Sequence, residues 1–371
     1  MPVLESLTRA AWNPGGGAVT KSLGLCLIPF GVIYGGLWRM RDMLPGNPAR
    51  LPVPVISVGG LTVGGSGKSP IAAEVSRTLL GAGLRTALLS RGYGRPRGDS
   101  LVVVSDGRSV LAHAGEAGDE PVMLARAIPG LIVIVCADRA RAGRLAIARY
   151  GAETLVLDDG FQNRGLRKDF EIVTVDGRRP FGNGRLLPAG PLRMPASEIA
   201  RADVVVITKL GGDDDPAPLR EALAAQARGA QIFEGRTVPV ELRDLETGKA
   251  LPLDAMRGRR VAAMCGVADP ESFVQILDGE GMAVAERFFF ADHHVYGPED
   301  LRRVRARARA TEAVITTEKD AVKLDPAWVR GEPPVLVLAT RTALDDPAAF
   351  ERAVRGAAAI AGAGEQASID A

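Results

Sequence analysis

The sequence predicts an α/β protein: a mostly parallel sheet domain followed by a second, smaller α/β domain. Two observations carry that expectation. From Leu51 to Lys209 short apolar runs alternate with helical patterns, and a glycine-rich loop separates the first run from the first helix. From Val261 to Leu338 the same alternation recurs on a smaller scale. Strands that alternate with helices pair in parallel and are covered on both faces, because each return crossing lays a helix over the sheet. A chain of 371 residues also exceeds what one core usually organises.

Taken in order, the elements begin with an uncharged run, LGLCLIPFGVIYGGLW, from Leu23 to Trp38. It is shorter than the ~20 residues a spanning helix needs, and Pro29 and several glycines interrupt it. Arg39 and Arg41 follow directly, and no small-residue cleavage pattern marks a signal peptide. Two readings stay open: a buried helix, or an apolar segment dipping into one leaflet with its arginines at the headgroups. Strands are expected at Val53–Val58, Ala87–Ser90, Leu101–Val104, Leu131–Ala137, Thr154–Leu157, Ile172–Val175 and Val204–Thr208, with helices at Pro70–Leu80 and Arg139–Tyr150. Gly211–Pro218 is an acidic break, and the segment near Pro239–Leu253 reads as a linking ribbon. Further strands follow at Val261–Cys265, Val314–Thr316 and Val335–Leu338, and the small-residue tail after Gly362 is expected to fray. The expected division is 1–50 for the apolar segment, 51–236 for the first domain, 237–345 for the second and 346–371 for a C-terminal helix and tail.

Composition narrows the function. A formal net charge of +2 gives no electrostatic case for nucleic acid. Cys26, Cys136 and Cys265 lie far apart without metal-ligand spacing, so buried thiols are expected. Three histidines leave little room for a multi-histidine metal site. No internal repeat is visible.

The strand at Val53–Val58 runs into GGLTVGGSGKSP, and a helical pattern starts at Pro70. This strand, loop and helix order is what a phosphate-binding P-loop requires. Backbone amides around Gly64, Gly65, Ser66, Gly67 and Lys68 can surround phosphate oxygens where glycine keeps side chains away. Lys68 adds charge at the outer phosphates, the Ser69 hydroxyl can ligate Mg²⁺, and the helix N-terminus favours an anion. Leu61, Thr62 and Val63 complete the nucleotide-binding stretch; Thr62 stands where the strict pattern has its first glycine. The alternative is a glycine-rich turn with no ligand. Three acidic strand ends could organise the metal: Asp138, Asp158 with Asp159, and Asp176. The doubled acid is the best of them, because Gly160 behind it allows a sharp turn. Each could equally be a solvated strand end or a helix cap.

TVGGSGKSP, GDEP at Gly118–Pro121, LDDGFQN at Leu157–Asn163, GNGRLLPAGPLR at Gly182–Arg193, ADHH at Ala291–His294 and TTEKDAVKL at Thr316–Leu324 occur in that order. Together they resemble the tetraacyldisaccharide 4'-kinase family of lipid A biosynthesis in Gram-negative bacteria, in which Thr62 is normal. The resemblance implies transfer of the ATP γ-phosphate, with Mg²⁺, to the 4'-hydroxyl of a tetraacylated glucosamine disaccharide 1-phosphate, the lipid A disaccharide precursor. It implies a P-loop nucleotide-binding domain joined by a two-stranded linker to the smaller domain, with the active site in the cleft. It also implies work at the cytoplasmic face of the inner membrane, with the N-terminal segment docking there. No obligate protein partner is evident.

Residue by residue, the resemblance makes Asp119 the group acting on the acceptor hydroxyl, His293 its partner and Lys68 the catalytic lysine. A sugar hydroxyl is a poor nucleophile and needs a carboxylate to orient it and take its proton. Read alone, Asp119 is more readily a cap on the helix that Pro121 helps start, and a loop histidine is more often structural; the resemblance reverses both readings. The two are far apart in sequence and are expected to meet through closure of the second domain over the first. Arg139 is assigned to nucleotide phosphates, and Glu120 and Arg193 to the acceptor, since a planar guanidinium grips phosphate oxygens in pairs. Either arginine can equally be a surface residue. Two positions depart from the family: Asn163 where histidine is usual, and Met194 where an acid is common. A dimeric membrane-associated partitioning ATPase also carries a GGxGK[ST] loop, but with a lysine where Val63 stands here. A kinase for a soluble metabolite, with the apolar N-terminus as core, is the second rival.

Overall fold

The computed structural model describes residues 12, 22, 24–44, 46–92, 100–211 and 214–369. Leu23, which opens the uncharged run, most of the residues before it, and residues 212–213 of the acidic break lie outside the described residues. In chain order, the first half runs α1 Ile28–Met43, β1 Val55–Gly60, α2 Lys68–Gly81, β2 Thr86–Ser90 and β3 Val102–Asp106. It continues with α3 Asp119–Ala127, β4 Ile132–Val135, α4 Arg139–Tyr150, β5 Thr154–Asp158, β6 Phe170–Asp176 and β7 Val204–Thr208. The second half runs α5 Ala217–Gln226, β8 Gln231–Asp244, β9 Ala250–Leu251, β10 Arg260–Cys265, α6 Pro270–Gly279 and β11 Ala283–Phe289. It ends with α7 Pro298–Arg307, β12 Ala313–Thr317, β13 Val335–Leu344 and α8 Pro347–Ile369. The expected strands are all present. β11, whose residues alternate in exposure beside β10, was not visible in the apolar pattern because every second residue faces outward.

Contacts divide the chain into two units: Met1–Leu89, Asp138–Arg236 and Leu344–Ala371 in one, Ser90–Ala137 and Thr237–Ala343 in the other. This differs from the expected ranges, in which 1–50 and 346–371 stood apart and 51–236 was one domain. Ser90–Ala137 belongs with the C-terminal residues, because α3 packs on β3 and β4 and also against the short helix Glu318–Ala321. The C-terminal helix joins the first unit by packing on α2, and its backbone is helical to Ile369, past the point where fraying was expected. β8 and β13, neighbours in the strand order, each carry the chain from one unit to the other.

In the first unit the parallel order is β8–β7–β6–β1–β5–β2, with β1 between β5 and β6 in register Ile56↔Val156 and Ile56↔Phe170. Every residue of β1, β2, β5 and β7 is buried, as a central parallel strand covered by helices requires. In the second unit β11–β10–β12–β13 run parallel. Successive β10 residues point to opposite faces. Val261, Ala263 and Cys265 pack with Phe273, Val274 and Leu277 of α6, while Ala262 and Met264 pack with Leu301 and Val304 of α7. Burial pushes the Cys265 thiol up to about 12, so it is a core residue without thiolate chemistry at neutral pH.

α1 is buried along one face of the apolar run and exposed along the other. Pro29 sits in its first turn, where a missing N–H does no harm. Gly31, Gly35 and Trp38 recur on one face and are its buried residues. A Cβ on Gly31 would meet the Ala189 Cβ at 3.0 Å, and one on Gly35 would meet Leu186 Cδ1 at 2.8 Å, so the glycines let the helix lie close on that segment. Phe30, Val32, Ile33, Leu37 and Met40 face outward. Met194 is buried with Trp38 and Phe161, which accounts for an apolar side chain there. Asn163 shapes its turn by accepting the N–H groups of Gly165 and Leu166, each at 3.0 Å.

Gly59 at the end of β1 marks the tightest approach of the loop after β5. A Cβ there would lie 2.5 Å from the Phe161 Cβ and 2.7 Å from its backbone nitrogen. Gly59→Ala is expected to destabilise the protein by about 1–3 kcal/mol through overpacking, read as a lower urea midpoint with an unchanged slope.

Candidate active site

The first cluster sits at the C-terminal end of β1, where an open parallel sheet presents its loops to ligands. Gly67 has a φ of 76° and directly precedes α2, a backbone state that favours glycine. Two threonines at strand ends hold the loop: Thr208 Oγ1 donates to the Ser66 carbonyl at 3.0 Å, and Thr174 Oγ1 and Ser66 Oγ lie 3.0 Å apart. Cβ atoms on Gly60 and Gly67 would press on Ser66 Oγ and Thr208 at 2.7 and 3.0 Å. On the other side, Val63 N–H donates to Pro191 O and Arg193 N–H to Leu61 O, both at 2.8 Å, while Thr62 bridges Leu192. The LLPAGPLR motif is therefore a splint along Leu61–Val63. Lys68 Nζ reaches back and donates to the Gly64 carbonyl at 2.9 Å.

The doubled acid divides. Asp158, 4% exposed at the end of β5, faces Ser69, whose Oγ lies 3.3 and 3.4 Å from its two carboxylate oxygens. Asp159, with a φ of 52°, turns away and pairs with Arg193 at 2.7 Å. Gly160 is required behind them, because a Cβ would strike the Leu157 Cβ at 2.5 Å. The rival acids have other tasks: Asp138 caps α4 through the Arg141 N–H, and Asp176 pairs with Lys209 at 2.9 Å. Arg139 is the first residue of α4 and only 4% exposed, so it is no surface arginine.

The second cluster lies wholly within the other unit. Gly118, with a φ of 92°, precedes α3 and makes Asp119 its first residue. Asp119 is 6% exposed. Its Oδ1 accepts the Glu120 N–H at 3.0 Å, and its Oδ2 lies 2.9 Å from His293 Nδ1. The pair forms without any movement of one unit onto the other: the 90–137 segment that carries Asp119 packs with the C-terminal residues that carry His293. His293 has a φ of 59°, an unfavourable state for a non-glycine residue that the surrounding contacts must hold. The neighbouring His294 has a separate task, bonding Asp300 at 3.0 Å and stacking on Phe290.

Lys319, from the TTEKDAVKL motif, enters the same cluster. Its Nζ is 2.8 Å from Asp292 Oδ1 and 3.9 Å from both Asp119 Oδ2 and Glu120 Oε1. Neither Lys319 nor Asp292 has a role legible in the sequence, although both lie in the motifs TTEKDAVKL and ADHH. Burial pushes the Asp119 carboxyl up, but the His293 hydrogen bond and the charges of Lys319, His293 and Lys323 outweigh it and hold the group below the ordinary range. The Asp119 hydrogen bond raises His293 above its ordinary value, against burial and the Lys319 charge.

The model of the tetraacyldisaccharide-1-phosphate 4'-kinase family (LpxK) matches residues 23–359. A tetraacyldisaccharide 4'-kinase of Anaeromyxobacter dehalogenans (strain 2CP-C) is 45% identical over 324 residues, covering 85% of this chain and 84% of that protein. One from Geobacter sulfurreducens is 39% identical over 342 residues, covering 91% and 94%. The crystal structure of LpxK from Aquifex aeolicus in complex with ATP superposes with a TM-score of 0.74 at 30% identity, over 91% of this chain and 99% of that one.

Linkage fixes the pH window of the Asp119–His293 pair. The lowered Asp119 contributes stability above the unfolded aspartate value, about 3.9, and loses it as pH falls through its folded value. The raised His293 contributes below the unfolded histidine value, about 6.5, and loses it as pH rises through its folded value. The gap in urea midpoint between the wild type and Asp119→Asn is therefore expected to be widest from about pH 4 to 6.5 and to narrow on either side.

Proposed function

The chain belongs to the tetraacyldisaccharide-1-phosphate 4'-kinase family, and on that premise we infer that it is an ATP-dependent kinase of lipid A biosynthesis. It transfers the γ-phosphate to the 4'-hydroxyl of a tetraacylated glucosamine disaccharide 1-phosphate. The observation that carries this reading is the 2.9 Å contact between Asp119 and His293, two motif residues 174 positions apart. It supports a carboxylate prepared for an acceptor hydroxyl.

Phosphoryl transfer passes through a loose transition state, so positioning and charge matter more than early deprotonation. A carboxylate has about four acceptor sites, and the Glu120 and His293 N–H groups use one on each oxygen. The remaining capacity takes the 4'-hydroxyl as donor. Asp119 accepts the proton as the new P–O bond forms and the bond from the γ-phosphorus to the departing ADP oxygen breaks, and His293 holds the carboxylate in orientation. The Gly64–Lys68 amides hold the nucleotide phosphates, and Lys68 offsets charge on the transferring group. Ser69 and Asp158 form an all-oxygen donor pair that suits Mg²⁺, which would neutralise phosphate charge when bound. Asp159 fixes Arg193, assigned with Glu120 to the acceptor.

α1 supports docking at the cytoplasmic face of the inner membrane. Phe30, Ile33, Leu37 and Met40 are 57–61% exposed, and Arg39 and Arg41 stand in the C-terminal part of the helix. Beside them a cavity of about 460 Å³ is lined by Arg41, Arg164, Arg167, Lys168 and Arg201 against Asp42 and Glu198, a net positive lining suited to headgroup phosphates. No helix among the described residues is long and apolar enough to cross a membrane, so α1 is read as lying in the interface.

Two measurements test the reading. With radiolabelled ATP and the lipid A disaccharide precursor in mixed micelles, the wild type is expected to label the lipid, and Lys68→Ala to lose about 100-fold or more in turnover while remaining folded. Near-normal turnover of Lys68→Ala would remove the phosphate cradle from the mechanism. Phe30→Ser, Ile33→Ser and Leu37→Ser combined should move the folded protein from the membrane pellet to the supernatant and raise the apparent KM for lipid, leaving that for ATP unchanged. A wild type that stays in the supernatant would favour a soluble-metabolite kinase.

A further inference from the structure

We propose that Lys319 is a positioning residue for phosphoryl transfer: it closes a ring of alternating charge with Asp119, His293 and Asp292, and so fixes the carboxylate that receives the acceptor proton. The proposal rests on reading Asp119 as that acceptor. Around the ring, His293 Nδ1 is 2.9 Å from Asp119 Oδ2, and His293 Nε2 is 3.8 Å from Asp292 Oδ2. Asp292 Oδ1 is 2.8 Å from Lys319 Nζ, which is 3.9 Å from Asp119 Oδ2. Each carboxylate thus lies between two basic groups, and each basic group between two carboxylates.

The unequal distances assign the roles. At 2.8 Å, Asp292 holds the ammonium by a charge-assisted hydrogen bond. At 3.9 Å, Lys319 acts on Asp119 through its field and not through a hydrogen bond, so it leaves an oxygen lone pair for the hydroxyl. The Lys319 side chain is 17% exposed and that of Asp119 is 7%, so solvent screens the interaction little.

The short helix that carries Lys319 is held from behind. Thr317 caps the short helix through the Asp320 N–H. Asp320, fully buried, accepts from Gly266 N–H at 2.9 Å, Thr317 Oγ1 at 2.7 Å and Tyr296 Oη at 3.0 Å. This scaffold directs Asp320 inward and leaves its neighbour Lys319 to the carboxylates. Lys323 pairs with Asp320 at 2.9 Å and is a more distant positive neighbour of Asp119, while Glu120 is the remaining acid near Lys319.

Field and geometry have a joint consequence. Lys319 lowers both Asp119 and His293, so removing its charge must move both titrations upward. The test uses the full-length enzyme in mixed micelles, with kcat measured against pH at saturating ATP and lipid. His293 is followed by NMR, which the presence of only three histidines makes tractable. Lys319→Met is expected to lower kcat more than tenfold at neutral pH, move the acidic limb and the His293 midpoint to higher pH, and leave the KM for ATP unchanged. Lys319→Arg keeps the charge and is expected to return the limb and midpoint towards the wild type. If Lys319→Met does not fold, Lys319→Gln, which retains a polar end, carries the same comparison. A limb and midpoint that coincide with the wild type when the charge is removed would overturn the proposal, as would Lys319→Arg behaving like Lys319→Met. Asp119→Ala separates the two levels: if it retains turnover, the reading of Asp119 fails; if it is inactive and Lys319→Met is normal, only the role of Lys319 fails.

Discussion

A carboxylate taken almost wholly out of water must find compensating charge and hydrogen bonds, and in the second unit this constraint on Asp119 organises the surroundings. It explains why a non-glycine residue, His293, is held at positive φ. It also explains why a lysine on a four-residue helix points at three acids and why Asp320 pins that helix from beneath. Removing one member of such a cluster leaves the others uncompensated, which is why the charges come as a set. The position of Asp119 at the start of α3 adds the helix dipole to the same end.

The phosphate cradle obeys the complementary rule. There the loop read as binding an anion is held by its backbone and its flanks. Thr174 and Thr208 hold Ser66 from the strand ends, and the Pro191–Arg193 segment holds Leu61–Val63 from the side. The glycines serve two ends at once, backbone conformation at Gly67 and clearance for Ser66 at Gly60. Preorganisation of this kind lets a loop without regular hydrogen-bonded structure meet a ligand without first being ordered.

α1 applies one economy of shape to two faces. Small residues at Gly31 and Gly35 bring its backbone against Leu186 and Ala189, and Trp38 closes the contact over Phe161 and Met194. Packing on that narrow face leaves the bulky apolar residues outward. Those outward residues form the exposed apolar face on which the proposed membrane docking rests. The glycines that seemed to interrupt an apolar run are thus the residues that fasten the helix.

What is local was legible along the chain: the alternation of strands and helices, the strand, loop and helix order around Lys68, and the turn at Gly160, while Asp119 and His293 stood out only through the family resemblance. Hydrophobic period, glycine at a forced turn and the lysine after a glycine loop depend on neighbours in the chain, so they are legible there. The tertiary structure decided the rest. It placed Ser90–Ala137 with the C-terminal residues, sent Asp158 to Ser69 and Asp159 to Arg193, and brought Lys319 and Asp292 beside Asp119. Those outcomes depend on which side chain meets which charge across long separations. A pattern along the chain fixes the face a residue occupies, but not the partner that face will find.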